Sequence, residues 1–155
     1  MEIKYTKRDA TNPTIKGNKI IVHICNDIGG WGKGFVMALS KRWKQPEQQY
    51  RQWFKSQENF ALGQVQFIQV ENSLWIANLI GQHNINKDEF GNSPIRYEVV
   101  LKGLDKVGEF AFGINASVHM PRIGCGLAGG TWDKIEPLIK QSLLDKDISV
   151  TVYDF

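Results

Sequence analysis

The sequence predicts a three-layer α/β domain, with helices on both faces of a central mixed sheet. Three observations carry this. Apolar, β-branched runs alternate with segments whose apolar residues recur at helical spacing. Twice, a buried run passes through a glycine-rich loop into a helix, once from Lys19 to Phe35 and once from Ala116 to Trp132. An early pair of runs joined by a short turn reads as a hairpin, which makes the sheet mixed and not purely parallel. The 155 residues, 42% of them hydrophobic and 23% charged, are enough for one domain spanning positions 1–155.

Ile3 to Lys7 reads as a short strand, ended by the polar stretch Arg8–Pro13. Lys19 to Cys25 is nearly all apolar and β-branched, as expected of a central strand buried on both faces. After the first glycine loop, Phe35, Leu39 and Trp43 recur at helical spacing. Pro46 suits the first turn of a second helix, which Tyr50, Trp53 and Phe54 give an aromatic face. Gln64 to Val70 and Leu74 to Ile80 form the hairpin about the turn Glu71-Asn72-Ser73. A polar loop, Gln82 to Asn92, follows. Ser93-Pro94 then reads as cap and first residue of a helix that buries Tyr97, Val100, Leu101 and Leu104. Ala116 to Met120 is the strand feeding the second glycine loop. Pro137 predicts a turn at Trp132–Ile135, with regular helix only beyond it. Ile148 to Tyr153 alternates strictly and reads as a strand with one buried face.

The loops are Asn26-Asp27-Ile28-Gly29-Gly30-Trp31-Gly32-Lys33-Gly34-Phe35 and Pro121-Arg122-Ile123-Gly124-Cys125-Gly126-Leu127-Ala128-Gly129-Gly130. Bare loops between a strand and a helix expose backbone N–H groups and suit an anion, most often a phosphate. Two such loops facing each other could clamp a diphosphate; the competing reading is that the glycines only turn corners. Neither loop ends in Gly-Lys-Ser/Thr, and neither is a dinucleotide fingerprint at the first strand. Lys33 is either a phosphate counter-charge or a solvated side chain.

The net charge of +3 is spread along the chain and does not by itself mark a nucleic-acid binder. Two cysteines, Cys25 and Cys125, are too few for a disulfide framework or a zinc site, and a reduced, cytoplasmic setting fits them. No run approaches membrane-spanning length, and no membrane partner, cofactor or required metal is expected.

The two loop segments, with the terminal Thr151-Val152-Tyr153, resemble the macrodomains, a family that binds ADP-ribose. The resemblance covers essentially the whole chain. It points to the small single-domain branch that includes ADP-ribose-1″-phosphate phosphatases and hydrolases of conjugated ADP-ribose. It implies that Asp9 accepts from the adenine amino group and that Asn26 faces the distal ribose. Gly32, Gly34 and Phe35 match the first diphosphate loop, and Gly124, Cys125, Gly126 and Leu127 match the second. Cys125 would act through its backbone N–H, since nothing in the sequence supplies a base for its thiol. The ligand implied is ADP-ribose or a derivative, free or carried on a macromolecule.

The sequence departs from the hydrolases that use a covalent lysine intermediate. Their lysine and aspartate positions are Gln82 and Ala128 here, and neither can serve as nucleophile or base. Asp27 and His83 are the remaining catalytic candidates. Asp27 is read as an activator of water or a turn residue, His83 as a proton donor or a solvated loop residue. His23 and His119 lie inside strands and read as core groups. Trp31 could pack over a ligand. The rival readings are a non-catalytic ADP-ribose reader, a hydrolase of conjugated ADP-ribose, and a nucleic-acid binder gripping a terminal phosphate.

Overall fold

The structure, a computed structural model, describes residues 1–154. In chain order its elements are β1 (Lys4–Thr6), β2 (Asn18–Asn26), α1 (Phe35–Arg42), α2 (Gln45–Ser56), β3 (Val65–Glu71), β4 (Leu74–Gln82), α3 (Tyr97–Ile114), β5 (Ala116–Met120), α4 (Trp132–Ser142) and β6 (Val150–Tyr153). The strands form one sheet in the order β1-β6-β5-β2-β4-β3. All neighbours are parallel except β3, which pairs antiparallel with β4 through the expected hairpin. The parallel strands therefore end at one edge of the sheet, where the glycine loops leave it.

Alternation along β2 divides the core into two layers. Ile20 and Val22 pack with α3 and α4 residues such as Leu104, Val107, Ile135 and Ile139. Ile21 and Cys25 pack on the other face with Val36, Leu39 and Tyr50 of α1 and α2. Ile20 to His23 are buried, as expected of a central strand.

Three local expectations are corrected. Helix α3 starts at Tyr97, and its N-cap position is Arg96, not Ser93. Residues Ser93–Arg96 instead run extended beside the end of β4. His83 N donates to Pro94 O at 2.8 Å, Arg96 N to Gly81 O at 3.0 Å, and Ile95 N to Ala128 O at 3.0 Å. This tertiary pairing outweighs the local capping preference. Helix α4 runs unbroken through Pro137. Pro137 and Asp133, whose carbonyl loses its partner, are both exposed, while Ile135 and Ile139 are fully buried and hold the helix to the sheet. Strand β6 buries Tyr153 as well as Val150 and Val152, because Tyr153 covers His119 on the second face. Among the described residues, no helix is long and apolar enough to cross a membrane.

Candidate ligand-binding site

A cavity of about 700 Å³ opens at the edge where the parallel strands end. One wall is the loop after β2 (27–34), the other the loop after β5 (121–131), and Gln82 and Ile85 stand at the end of β4. Asn26, Gly32, Gly34, Phe35, Gly124, Gly126 and Leu127 all line it, so seven expected binding residues converge on one space. Exposed Lys33 lines it as well.

The two loops meet. A Cβ built on Gly34 would stand 3.5 Å from Leu127 Cδ1, so the Leu127 side chain lies across the first loop. Among the described residues, the backbone N–H groups of Gly32, Lys33, Gly34 and Phe35 have no acceptor in the protein, nor do those of Gly124, Gly126 and Leu127. Such a set of donors around a cavity is suited to an anion.

Asn26 fixes the first loop. Its Oδ1 accepts from Ile28 N at 3.0 Å, Gly30 N at 2.9 Å and Tyr50 OH at 2.9 Å, while Nδ2 donates to Gly30 O at 2.9 Å. The single hydrogen of the fully buried Tyr50 hydroxyl is shared between Asn26 Oδ1 and Asn26 O, the latter at 2.6 Å, and ties the loop to α2. The amide is thus largely committed to the loop's shape, and one Nδ2 hydrogen remains for a ligand.

Asp27 and His83 come together just beyond the cavity lining. His83 Nδ1 lies 2.7 Å from Asp27 Oδ2, and Asn84 N donates to Asp27 Oδ1 at 2.7 Å. The side chain of His83 is 55% exposed and that of Asp27 17%. With Nδ1–H donating to the carboxylate, Nε2 is the free nitrogen.

Two expected binding residues stand apart. Asp9 is outside the cavity lining; its Oδ1 accepts from Thr11 N at 2.8 Å and Thr11 Oγ1 at 2.7 Å, and its Oδ2 from Arg42 Nη2 at 3.2 Å. Partial burial would raise the Asp9 pKa, but these bonds outweigh it and hold the carboxyl below its ordinary value. Cys125 is in the second loop, yet its N–H is used in a turn to Arg122 O at 3.3 Å and its Sγ donates to Ile123 O at 3.4 Å. Burial pushes the Cys125 thiol pKa up, further from the thiolate.

The sequence reading placed His23 in the core and gave Arg122 no role, yet both line the cavity. His23 was expected to be a satisfied core group, but it lines the cavity and only Nε2 is paired, with Asn78 Oδ1 at 2.5 Å. Among the described residues, the buried Nδ1 has no partner. Burial lowers the His23 pKa to about 4 against the opposing Asn78 bond, so the ring is neutral at pH 7 and Nδ1 is an acceptor. Trp31 also lines the cavity, but it is buried from the core side. Its Nε1 donates to Ser40 Oγ at 2.8 Å and its ring stands edge-on to His23 at 5.4 Å. Arg122 is held by Asp154 at 2.5 and 3.0 Å and lies over the rings of Tyr5 and Trp132, at 5.3 and 5.1 Å. Its place at the head of the second loop was the available signal. Among the described residues, no group of three or more His, Cys, Asp or Glu is placed to hold a metal ion.

No family model matches the chain. A solved structure of a Bacteroides thetaiotaomicron protein of unknown function is 62% identical, with a TM-score of 0.99 over 100% of this chain and 99% of that one. A macrodomain protein from Streptomyces coelicolor is 52% identical, with a TM-score of 0.90 over 99% of both chains. Among curated relatives, the zebrafish chromodomain-helicase-DNA-binding protein 1-like is 31% identical over 160 residues. That match takes in 97% of this chain but only 15% of the relative's length. An ADP-ribose 1″-phosphate phosphatase of Lodderomyces elongisporus is 24% identical over 168 residues, 99% of this chain and 100% of that protein. The two-loop cavity and the full-length likeness to the Streptomyces protein lead to one assignment: the chain belongs to the macrodomain family.

Proposed function

We propose that this chain binds ADP-ribose or a close derivative in the cavity and removes the terminal phosphate of ADP-ribose 1″-phosphate. The observation that carries the binding is the convergence of two glycine loops, with unpaired N–H donors, on one cavity of about 700 Å³. That is room for a diphosphate between the loops and a sugar at either end. The end-to-end match to a fungal ADP-ribose 1″-phosphate phosphatase supports the substrate.

In this reading the free N–H groups of the loops hold the diphosphate. Asn26 holds the first loop in shape and offers its remaining hydrogen to the distal ribose. Asp9, beyond the lining, meets the adenine amino group at the far end. The chemistry falls to Asp27 and His83. Asp27 holds the imidazole by Nδ1, so Nε2 takes a proton from water. The water oxygen bonds to phosphorus, the bond from phosphorus to the sugar oxygen breaks, and that oxygen recovers a proton. ADP-ribose and inorganic phosphate leave. Loop N–H groups stabilise the charge that develops on the phosphoryl oxygens.

The second reading, a non-catalytic reader, is favoured by the exposure of His83 and by Gln82 and Ala128 at the lysine and aspartate positions. Titration calorimetry with ADP-ribose, followed by incubation with ADP-ribose 1″-phosphate, separates the two. Binding with phosphate release above a no-enzyme control supports the phosphatase. Binding without release leaves the reader, and no binding overturns both.

A further inference from the structure

A second cavity, of about 520 Å³, is bounded on one side by the end of the second glycine loop, at Gly129 and Thr131. Ser93, Ile95, Arg96, Tyr97, Thr131 and Lys134 line it, with Gly129 between them. Asn92 completes the lining and donates from Nδ2 to Asp88 Oδ2 at 3.1 Å; among the described residues, both charged side chains in the lining are cations. Arg96 is committed to the wall: its Nη1 donates to Ser93 O at 2.5 Å and Pro94 O at 3.1 Å, and Asp88 stands 3.9 Å from Nη2. Lys134 is different. Among the described residues it makes no ion pair, and its ammonium lies 5.4 Å from the centroid of the Tyr97 ring.

Hydroxyls complete the set. Tyr97 OH accepts from Thr131 N at 3.1 Å and keeps its own hydrogen to donate. The hydroxyls of Ser93 and Thr131 have no partner among the described residues. Gly129 lets Ser93 come close: with φ at 78°, a Cβ there would fall 2.7 Å from Ser93 Oγ. The loop thus gives up a side chain where the Ser93 hydroxyl needs the space.

We infer that this second cavity binds a phosphomonoester. An unpaired ammonium and three hydroxyls fit the phosphoryl oxygens. The half-buried Tyr97 ring offers apolar surface to the organic remainder. The site shares no lining residue with the first cavity.

The test closes the first cavity and titrates the second. Gly126→Glu fills the first cavity from an exposed position where nothing lies within 4 Å of a new Cβ. Calorimetry on this variant uses inorganic phosphate and phenyl phosphate as probes, and backbone NMR follows the amides of Gly129 and Thr131. Both probes are expected to bind and to shift these amides. Lys134→Ala in the same background should weaken them about tenfold, Thr131→Val should weaken them too, and Lys33→Ala should change nothing. Tighter phenyl phosphate identifies an ester ligand, and equal affinities identify the phosphoryl group alone as what is read. Circular dichroism checks that each variant is folded. Absence of binding at millimolar probe in folded Gly126→Glu overturns the inference. So does indifference to Lys134→Ala, or loss of binding in Lys33→Ala. These outcomes do not depend on what the first cavity binds.

Discussion

Asp27 holds His83 across two loops. Its Oδ2 lies 2.7 Å from His83 Nδ1, and its Oδ1 takes the N–H of Asn84 at 2.7 Å. One carboxylate therefore fixes both the ring and the backbone that carries it. The residues are 56 positions apart in sequence, and they meet because β2 and β4 are parallel neighbours with Asn26 opposite Gln82.

Asp27→Asn keeps an oxygen for Asn84 N but no longer favours the tautomer with Nε2 free. On the phosphatase reading, His83→Ala should lower turnover of ADP-ribose 1″-phosphate by about a hundredfold or more. Asp27→Asn should lower it in the same direction, and the double variant should lose little beyond His83→Ala. ADP-ribose affinity should stay near wild type in all three, and Cys125→Ser should leave turnover intact. Phosphate-release kinetics beside calorimetry check this; loss of turnover in Cys125→Ser alone would move the chemistry to the thiol.

The glycines of the second loop should separate binding from stability. Gly126→Glu should abolish ADP-ribose binding with little change in melting temperature, because the new side chain fits but opposes the diphosphate charge. Gly130→Ala should cost about 1–3 kcal/mol of stability, since its Cβ would lie 2.5 Å from Gly124 O. Thermal melts and ADP-ribose titrations of both variants decide it. Unchanged affinity in folded Gly126→Glu would remove the second loop from the site.

Asp9→Ala tests the far end of the proposed ligand. A lost charge-assisted hydrogen bond costs about 1.5–3 kcal/mol. ADP-ribose should weaken accordingly, while ribose 5-phosphate, which lacks adenine, should not. Equal weakening of both would assign Asp9 to its turn with Thr11 and Arg42.

His23 and His119 should make the fold sensitive to acid. His119 is buried between Ser117 Oγ at 2.8 Å and Tyr153 OH at 2.7 Å. Burial, with a smaller contribution from Lys19, lowers its pKa to about 4; burial does the same to His23. Each depressed pKa means that the unfolded chain takes up the proton first. The associated stability is complete above about pH 6.5 and is lost as the pH falls through about 4. For each residue this amounts to about 3 kcal/mol in order of magnitude. Urea midpoints should therefore fall steeply between neutral pH and pH 5, and His119→Gln should flatten part of the slope.

Much of this was readable in the sequence because it rests on local periodicity. The run Ile20–Val22 and the alternation Ile148–Val152 mark strands from their own residues, and two strand–glycine–helix passages imply one ligand edge. What escaped was set by partners distant in sequence. Ser93-Pro94 is a sound capping signal, but Gly81 and Ala128 claim that segment as an extended strip. His23 looks like any apolar-strand histidine until Asn78 is seen to satisfy only one of its nitrogens. Asp27 and His83 carried separate hypotheses, and only the register of β2 on β4 joins them.

The edge-on contact of Trp31 with His23 makes the indole a built-in optical probe. Its excited state senses the polarity around the cavity floor. Water leaving the cavity that Trp31 lines should therefore shift its emission. Trp132, under the Arg122 guanidinium at 5.1 Å, is the other indole close to the cavity, and Trp132→Phe would separate the two signals. Occupancy of the pocket could then be followed by light alone, in unlabelled protein and on the millisecond scale of stopped flow.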